Sequence, residues 1–386
     1  MASDWNELAV QEFADVVGGG TPSTNDEQNF GGDIPWITPK DLSNHRFRYI
    51  ERGERNITEK GFNESNATLL PAGSVLLSTR APVGYLAIAK NPVTTNQGFK
   101  SLIVHDGFDN EFVYYLLKAN VDYLKSQASG TTFGELSGGT LKKLRFFVPP
   151  LPEQRAIAGI LGALDDKIEL NRRMNRTLES IARAVFRQWF VESEEVGSWK
   201  VGKLGDVAEN IRRGANADEI NPDTNYIGLE HMPKGSIALS EWGNASDLAS
   251  NKFVFKTGEF LFGKLRPYFH KVGIAPIDGV CSTDILVIAP KSPEWYGFVL
   301  EHISSVELIN YTNAASTGTK MPRTSWSDIA NYEVALPPLE KAKEFTKIFL
   351  PMAQQIRANI IESRTLASLR DSLLPKLMRG EVRVRG

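Results

Sequence analysis

The sequence predicts an α+β protein built from two copies of one unit, each a globular domain followed by a long helix. Three observations carry that prediction: an internal repeat, short apolar runs broken by turn residues, and two long stretches of heptad spacing. The chain has 386 residues, enough for two or three domains at roughly 100–200 residues each. Pro149-Pro150-Leu151 recurs as Pro337-Pro338-Leu339, and Arg176-Thr177-Leu178-Glu179-Ser180 as Arg364-Thr365-Leu366-Ala367-Ser368, both at a spacing of 188 residues. In the same register Ile168 and Asn171 match Ile356 and Asn359, and Gly130-Thr131 matches Gly318-Thr319. A fixed-period self-match of this kind is the signature of a repeated structural unit.

The globular parts cover residues 1–151 and 197–336. Runs such as 74–77, 85–89 and 285–288, separated by Gly, Pro, Asn and Asp, read as strands and turns. Phe13-Ala14-Asp15-Val16-Val17 resembles Val207-Ala208-Glu209-Asn210-Ile211, and 71–77 resembles 256–262. Each copy continues through an Arg-Pro stretch, Arg80-Ala81-Pro82 or Arg266-Pro267. Helical spacing of Phe112, Tyr115, Leu116 and Leu124 predicts a helix over 110–127, with a counterpart over 294–310. Each globular part should therefore hold a substantial mixed or antiparallel sheet.

The helices occupy 152–196 and 337–386. From Pro152, which suits a first helical turn, a strict 4-3 spacing runs through Ile157, Leu161, Leu164, Ile168, Asn171, Asn175, Leu178, Ala182, Val185 and Trp189. The second set is Phe345, Phe349, Met352, Ile356, Asn359, Ser363, Leu366, Arg370, Leu373 and Leu377, with Pro351 and Pro375 expected to kink or shorten it. Both seams turn polar at the centre. An antiparallel coiled coil would bring Asn171 to Asn359 and fix the register, giving the chain a pseudo-two-fold internal repeat. About 40 helical residues span roughly 60 Å, a rod able to hold two globular heads apart.

Composition narrows the chemistry. The single Cys281 excludes a disulfide framework and a Cys-based zinc cluster, and no apolar stretch reaches transmembrane length, so a cytoplasmic protein is expected. Gly197–Lys203 and Gly258–Lys264 fit a GxxxxGK loop, but Leu204 and Leu265 stand where a nucleotide site needs Ser or Thr. Asp165-Asp166-Lys167 lies on the heptad helix and reads as a solvated charged face rather than a nuclease cluster. Both Pro-Pro pairs lack the neighbours of an amino-methyltransferase tetrapeptide, and the five histidines show no metal-ligand spacing. No catalytic site and no metal site are expected, and the chain itself needs no cofactor.

The net charge of −2 is unusual for a nucleic-acid binder. Residues 1–150 carry 14 basic and 17 acidic side chains and residues 199–336 carry 13 and 16, while 337–386 carry 10 and 5.

The layout nevertheless resembles one family. Two globular domains, each followed by a more regular helix entered through Pro-Pro-Leu, are similar to the specificity subunit of type I restriction-modification systems. The matching segments are Leu151-Pro152-Glu153-Gln154-Arg155, the heptads after it, and Leu373-Leu374-Pro375-Lys376-Leu377-Met378-Arg379-Gly380-Glu381-Val382. Gly18-Gly19-Gly20-Thr21-Pro22, Gly130-Thr131-Thr132 and Trp189-Phe190 also fit. The second copy departs from the pattern, with Glu340-Lys341-Ala342 for Pro152-Glu153-Gln154 and no Thr-Pro after Arg212-Arg213-Gly214-Ala215.

The resemblance implies a non-catalytic subunit that binds double-stranded DNA. Residues 1–151 and 197–336 would be target-recognition domains, each reading one half of a bipartite, asymmetric target. The paired helices would set the gap and dock two modification (methyltransferase) subunits, and restriction (motor-nuclease) subunits would join. S-adenosylmethionine, ATP and magnesium would belong to those partners, and no membrane is involved. Side chains suited to base edges and phosphates give the candidates Lys40, Arg46, Arg48, Ser78, Arg80, Asn96 and Gln97 in the first domain. The second offers Arg212, Arg213, Tyr226, His231, Lys264, Arg266, Tyr268, His270 and Lys271. Thr131, Thr132, Thr319 and Lys320 join them, because the neighbouring Gly lets backbone approach a phosphate closely. Arg80 and Arg266 stand out, since each copy sets an Arg beside a Pro. The rival readings are a coiled-coil adaptor with two protein-binding heads, and a stand-alone methyltransferase or nuclease.

Overall fold

A computed structural model describes residues 4–43, 45–129, 134–246, 250–315 and 321–384. The chain forms two compact units, one comprising Met1–Glu169 and Leu366–Gly386, the other Leu170–Thr365. Two 40-residue helices, Leu151–Phe190 and Leu339–Met378, supply segments to both. Pro351 and Pro375 neither shorten nor interrupt the second one. Pro351 and Lys347 one turn before it are both exposed, so the carbonyl that Pro351 cannot satisfy has access to water.

In the first unit a five-stranded sheet runs in the order Ala14–Gly18, Lys100–Val104, Val75–Thr79, Val83–Ala89 and Tyr49–Ile50. All neighbours are antiparallel except the last pair. Strand Asn6–Ala9 pairs with Arg145–Val148, the segment that leads into the long helix. The second unit repeats this plan. Lys200–Lys203 pairs with Glu333–Leu336, and a four-stranded sheet runs Ala208–Ile211, Ile285–Pro290, Phe260–Gly263 and Val272–Ile274. Both GxxxxGK segments thus run into these strands, and Leu265, which follows the second, bridges to Arg323. Turn glycines Gly73 and Gly258 both sit at φ +86°, a region open mainly to Gly.

The helix read over 110–127 is two helices, Asn110–Ala119 and Val121–Ser126, parted at Asn120, whose amide turns back onto the Leu116 carbonyl at 2.8 Å. The Asp109 carboxylate starts the first by accepting the Phe112 N–H at 2.8 Å. Its counterpart splits likewise into Tyr296–Ile303 and Val306–Ala315. Each pair covers one face of its sheet and meets the long helices on the other side. The buried interior of the first unit contains Phe13, Phe112 and Tyr115 with Ile157 and Leu161 of the long helix. That of the second contains Phe260, Phe298, Phe186, Phe345 and Phe349.

Within each unit the long helices run antiparallel. Asp165 and Glu153 meet Arg370 and Arg383 in the first unit; Asn171 and Phe186 meet Ser363 and Phe345 in the second. The fully buried Asn171 amide donates to Glu362 Oε2 at 2.7 Å and reaches the Asn359 carbonyl at 3.4 Å, while Asn359 donates to Asn175 at 2.8 Å. Along the seam Ile157, Leu161 and Ile356 are buried, and Leu164, Ile168, Leu178 and Leu366 half-buried. Burial also takes in Phe190 and Ile360 outside the 4-3 pattern, because each helix packs on a globular part as well as on its partner.

Of the Asp165-Asp166-Lys167 run, Asp166 is on the solvated face, 69% exposed in its side chain, but Asp165 is not. The Asp165 side chain is only 12% exposed, lies 2.5 Å from Arg370, and accepts the Tyr115 hydroxyl at 2.6 Å. At the matching junction of the second unit Glu179 accepts from Ser236 Oγ at 2.8 Å and the Ile237 N–H at 3.2 Å. Glu301 is buried beside it, and burial pushes its carboxyl up to about 7, with Glu179 adding to the rise and Arg183 opposing it. The unfolded chain releases this proton near its ordinary value while the fold retains it, so folding takes up a proton between the two values. The stabilisation is complete below the ordinary carboxyl range and is lost as pH rises through 7. Urea melts of the full chain at pH 5.5 and 8 should show that loss, and Glu301→Gln should flatten it; an unchanged slope in the variant would contradict the assignment.

Candidate nucleic-acid interface

In the first unit the candidates divide by burial. Lys40 is exposed and paired with Glu54 at 2.7 Å, on the short helix Pro39–Ser43; Arg46 and Gln97 are also exposed. Arg80 is half-exposed, 3.9 Å from Glu135. Asn96 accepts the Gly98 N–H at 2.9 Å, which shapes the turn before Lys100–Val104. Asn96 and Arg80 converge beside Pro39, the neighbour of Lys40: a Cβ on Gly98 would meet Asn96 Oδ1 at 3.0 Å, Pro39 Cγ at 3.2 Å and Arg80 Cγ at 3.7 Å. Lys100, which residue type alone did not single out, lies 3.9 Å from the same Glu135.

Two first-domain candidates are corrected. Arg48 is buried, its guanidinium 2.7 Å from Asp166 and 3.2 Å from Glu111, so it ties the sheet edge to the long helix. Ser78 is fully buried; it donates to the Pro82 carbonyl and accepts the Tyr85 N–H, both at 2.8 Å, and so is spent on the turn. Gly18-Gly19-Gly20 is a packing motif here. A Cβ on Gly19 would lie 2.0 Å from the Asn96 carbonyl oxygen, and one on Gly20 2.2 Å from the Ala67 nitrogen. Thr131, Thr132, Thr319 and Lys320 lie outside the described residues.

The second unit brings Arg212 and Lys264 to one cleft of about 310 Å³. Arg213 is instead held by Glu259 through two contacts, at 2.9 and 2.5 Å. Tyr226 packs edge-on to His231, whose Nδ1 accepts the Gly228 N–H at 2.9 Å. Tyr268 is 49% exposed. His270 and Lys271 are corrected: the His270 ring is tied to the Ser304 carbonyl at 2.9 Å, the Lys271 ammonium donates to the Leu229 carbonyl, and burial holds both below their ordinary pKa. Each is committed to holding the fold around the turn.

The pairing of Arg80 with Arg266 is corrected as well. Arg266 takes φ +51° immediately before Pro267, and the residue with that φ before Pro82 is Ala81. Structurally Arg266 therefore matches Ala81, and Arg80 matches Leu265. A left-handed Arg is costly, and the second copy places it at the tip of the turn with its Nε buried and unpartnered.

The polar equipment of the two copies also differs at the base of the long helices. In the first, Trp5 Nε1 donates to Glu153 at 3.1 Å, and Arg383 joins Glu153 to Asp4. In the second, Lys341 stands in the place of Glu153, its ammonium 5.3 Å from the Trp199 ring centroid and paired with Glu195. The Glu340-Lys341-Ala342 departure thus preserves the junction by changing a hydrogen bond to a cation–π contact.

Among the described residues no group of three or more His, Cys, Asp or Glu is placed to hold a metal, and no helix is long and apolar enough to cross a membrane. The type I restriction modification DNA specificity domain matches residues 2–180 and 197–364. The MjaIX specificity subunit of Methanocaldococcus jannaschii is 35% identical over 411 residues, covering 99% of this chain and 94% of that protein. The EcoR124I/EcoR124II specificity subunit of Escherichia coli is 33% identical over 171 residues, 42% of this chain and 41% of that one. In fold the chain is similar to the crystal structure of the M. genitalium S subunit, with a TM-score of 0.61, 16% identity and 97% and 96% of the two chains covered. The repeated sheet-and-helix unit, the antiparallel helices and these matches establish that the chain belongs to the family of type I restriction-modification DNA specificity subunits.

Proposed function

We propose that this chain reads a bipartite, asymmetric DNA target for a type I restriction-modification complex, one half with each globular part. The observation that carries the reading is that two copies of one fold place different side chains at matching positions beside the sheet. By ladder register Lys100 in the first copy corresponds to Leu286 in the second, and by the Ser137 and Ser325 helix caps Gly138 corresponds to Trp326. Identical readers would suit a symmetric site; diverged ones suit two different half-sites. Lys40, Arg46, Arg80, Asn96 and Gln97 serve the first half, and Arg212, Lys264, Arg266 and Tyr268 the second. The long helices set the gap and dock two modification subunits, and motor-nuclease subunits join that assembly in the cytoplasm. S-adenosylmethionine, ATP and magnesium belong to those partners. The near-neutral charge fits a reader that borrows non-specific affinity from its complex, since each phosphate neutralised needs a local cation rather than a basic chain overall.

The test is enrichment of random duplexes by the full chain assembled with its modification subunits. Two short words separated by a fixed unread gap are expected. Arg212→Ala with Lys264→Ala should weaken the word read by the second unit about 10-fold or more and leave the other unchanged. Retention of partner proteins with no enriched sequence would instead favour the adaptor reading.

A further inference from the structure

Most cations on the sheet side of the second unit are committed. Arg213 is held by Glu259, Lys256 lies 2.9 Å from Asp278, and Arg323 lies 3.4 Å from Asp284. Arg212 and Lys264 make no side-chain hydrogen bond or ion pair among the described residues. Both line the same cleft, whose floor is Ile285 and Leu286 and whose walls include the half-exposed rings of Phe253 and Trp326. The Asn210 side-chain amide, equally uncommitted, also lines it. An apolar slot flanked by aromatic rings, with two unpaired cations and a free amide, has the chemistry of a nucleotide. A base face stacks on aromatic rings, its edge suits an amide, and its phosphates suit cations.

Resting on the DNA reading above, we propose that this cleft receives one base of the target, unstacked from its neighbours, in the half-site read by the second unit. Trp326 and Phe253 take the base face, Asn210 its edge, and Arg212 and Lys264 the flanking phosphates. Among the described residues the matching place in the first unit is built differently. There Lys100 replaces Leu286 and Gly138 replaces Trp326, and the Lys100 stem occupies the space, 3.6 Å from where a Gly138 Cβ would stand. Capture of a base by this chain is therefore confined to one half of the target. The energetic logic is that of any reader that extrudes a base: the lost stacking is repaid inside the protein, and only a base that fits repays it.

The experiment uses the full chain with its modification subunits on its enriched duplex, with 2-aminopurine substituted one position at a time through both half-sites. Fluorescence should rise several-fold at one position of the second unit's half-site. Trp326→Ala should abolish that rise and weaken binding about 10-fold, while Trp326→Phe restores most of both at an unchanged melting temperature. No brightening in the second half-site would overturn the slot, as would brightening that survives Trp326→Ala, which another subunit must then cause. In either case an enriched two-word target would leave the DNA reading intact; failure of enrichment itself would remove both. Competition by millimolar free dAMP, with no duplex signal, would assign the cleft to a soluble nucleotide and overturn the proposal.

Discussion

Asp165→Ala is expected to destabilise the first unit by about 3 kcal/mol, the lower end of what breaking a buried ion pair costs. Asp165 and Arg370 are 12% and 16% exposed in their side chains, and the Tyr115 hydroxyl donates to the same carboxylate. Removing the carboxylate leaves a largely buried guanidinium with Asp371 alone, at 2.7 Å and mostly exposed, and leaves the Tyr115 hydroxyl without its acceptor. The residual Asp371 contact keeps the cost from reaching about 5 kcal/mol. Asp165→Leu combined with Arg370→Leu should recover most of the loss, because no buried charge then lacks a partner. Urea unfolding of the single and double variants measures both. A single variant within about 1 kcal/mol of the parent, or a double variant worse than the single, would show that the pair is not the constraint inferred from its burial.

That network also marks where residue type stops predicting surface chemistry. Arg46 and Arg48 share the same polar, turn-like context, yet one is exposed and the other is buried against Asp166, 118 residues away in sequence. Nothing local distinguishes them, because the distinction is made by a helix that arrives later in the chain. Ser78 was indistinguishable from a phosphate-contacting serine for a similar reason: its hydroxyl is consumed by a turn whose shape depends on the φ of Ala81. By contrast, the meeting of Asn171 with Asn359 followed from spacing alone. A polar break in two matching seams leaves one antiparallel register that pairs both, and buried amides make any other register costly.

The Arg80–Arg266 pairing failed through register. The C-terminal parts of the two copies match at a spacing of 188, but Ala81 and Arg266, which share the φ before proline, are 185 apart. Insertions between strands shift the match inside each domain, so two arginines that share a neighbouring proline sit one residue out of register. Trp326 and Phe253 were missed because aromatics in a strand-rich domain are ordinarily core. Only the cleft beside Arg212 and Lys264 sets them apart.

Phe345→Ala should cost the second unit about 3–5 kcal/mol. The ring is fully buried where the second long helix crosses the first. Its centroid lies 5.2 Å from Phe190, 5.8 Å from Phe186 and 5.9 Å from Phe349. Helix Tyr296–Ile303 comes so close that a Cβ on Gly297 would lie 2.8 Å from Phe345 Cε1. Truncation removes the ring's transfer energy and opens a cavity that these three rigid aromatic neighbours cannot collapse to fill, and the aromatic pairs worth about 0.5–1.5 kcal/mol each go with it. Phe345→Leu should cost less, since most of the volume is retained. The loss should appear as earlier urea unfolding of Leu170–Thr365, with amide exchange accelerated there and unchanged around Phe13 and Phe112, whose interior does not include this ring. Equal acceleration in both units would mean that the chain unfolds as one cooperative body, and that a defect in one unit is felt in the other.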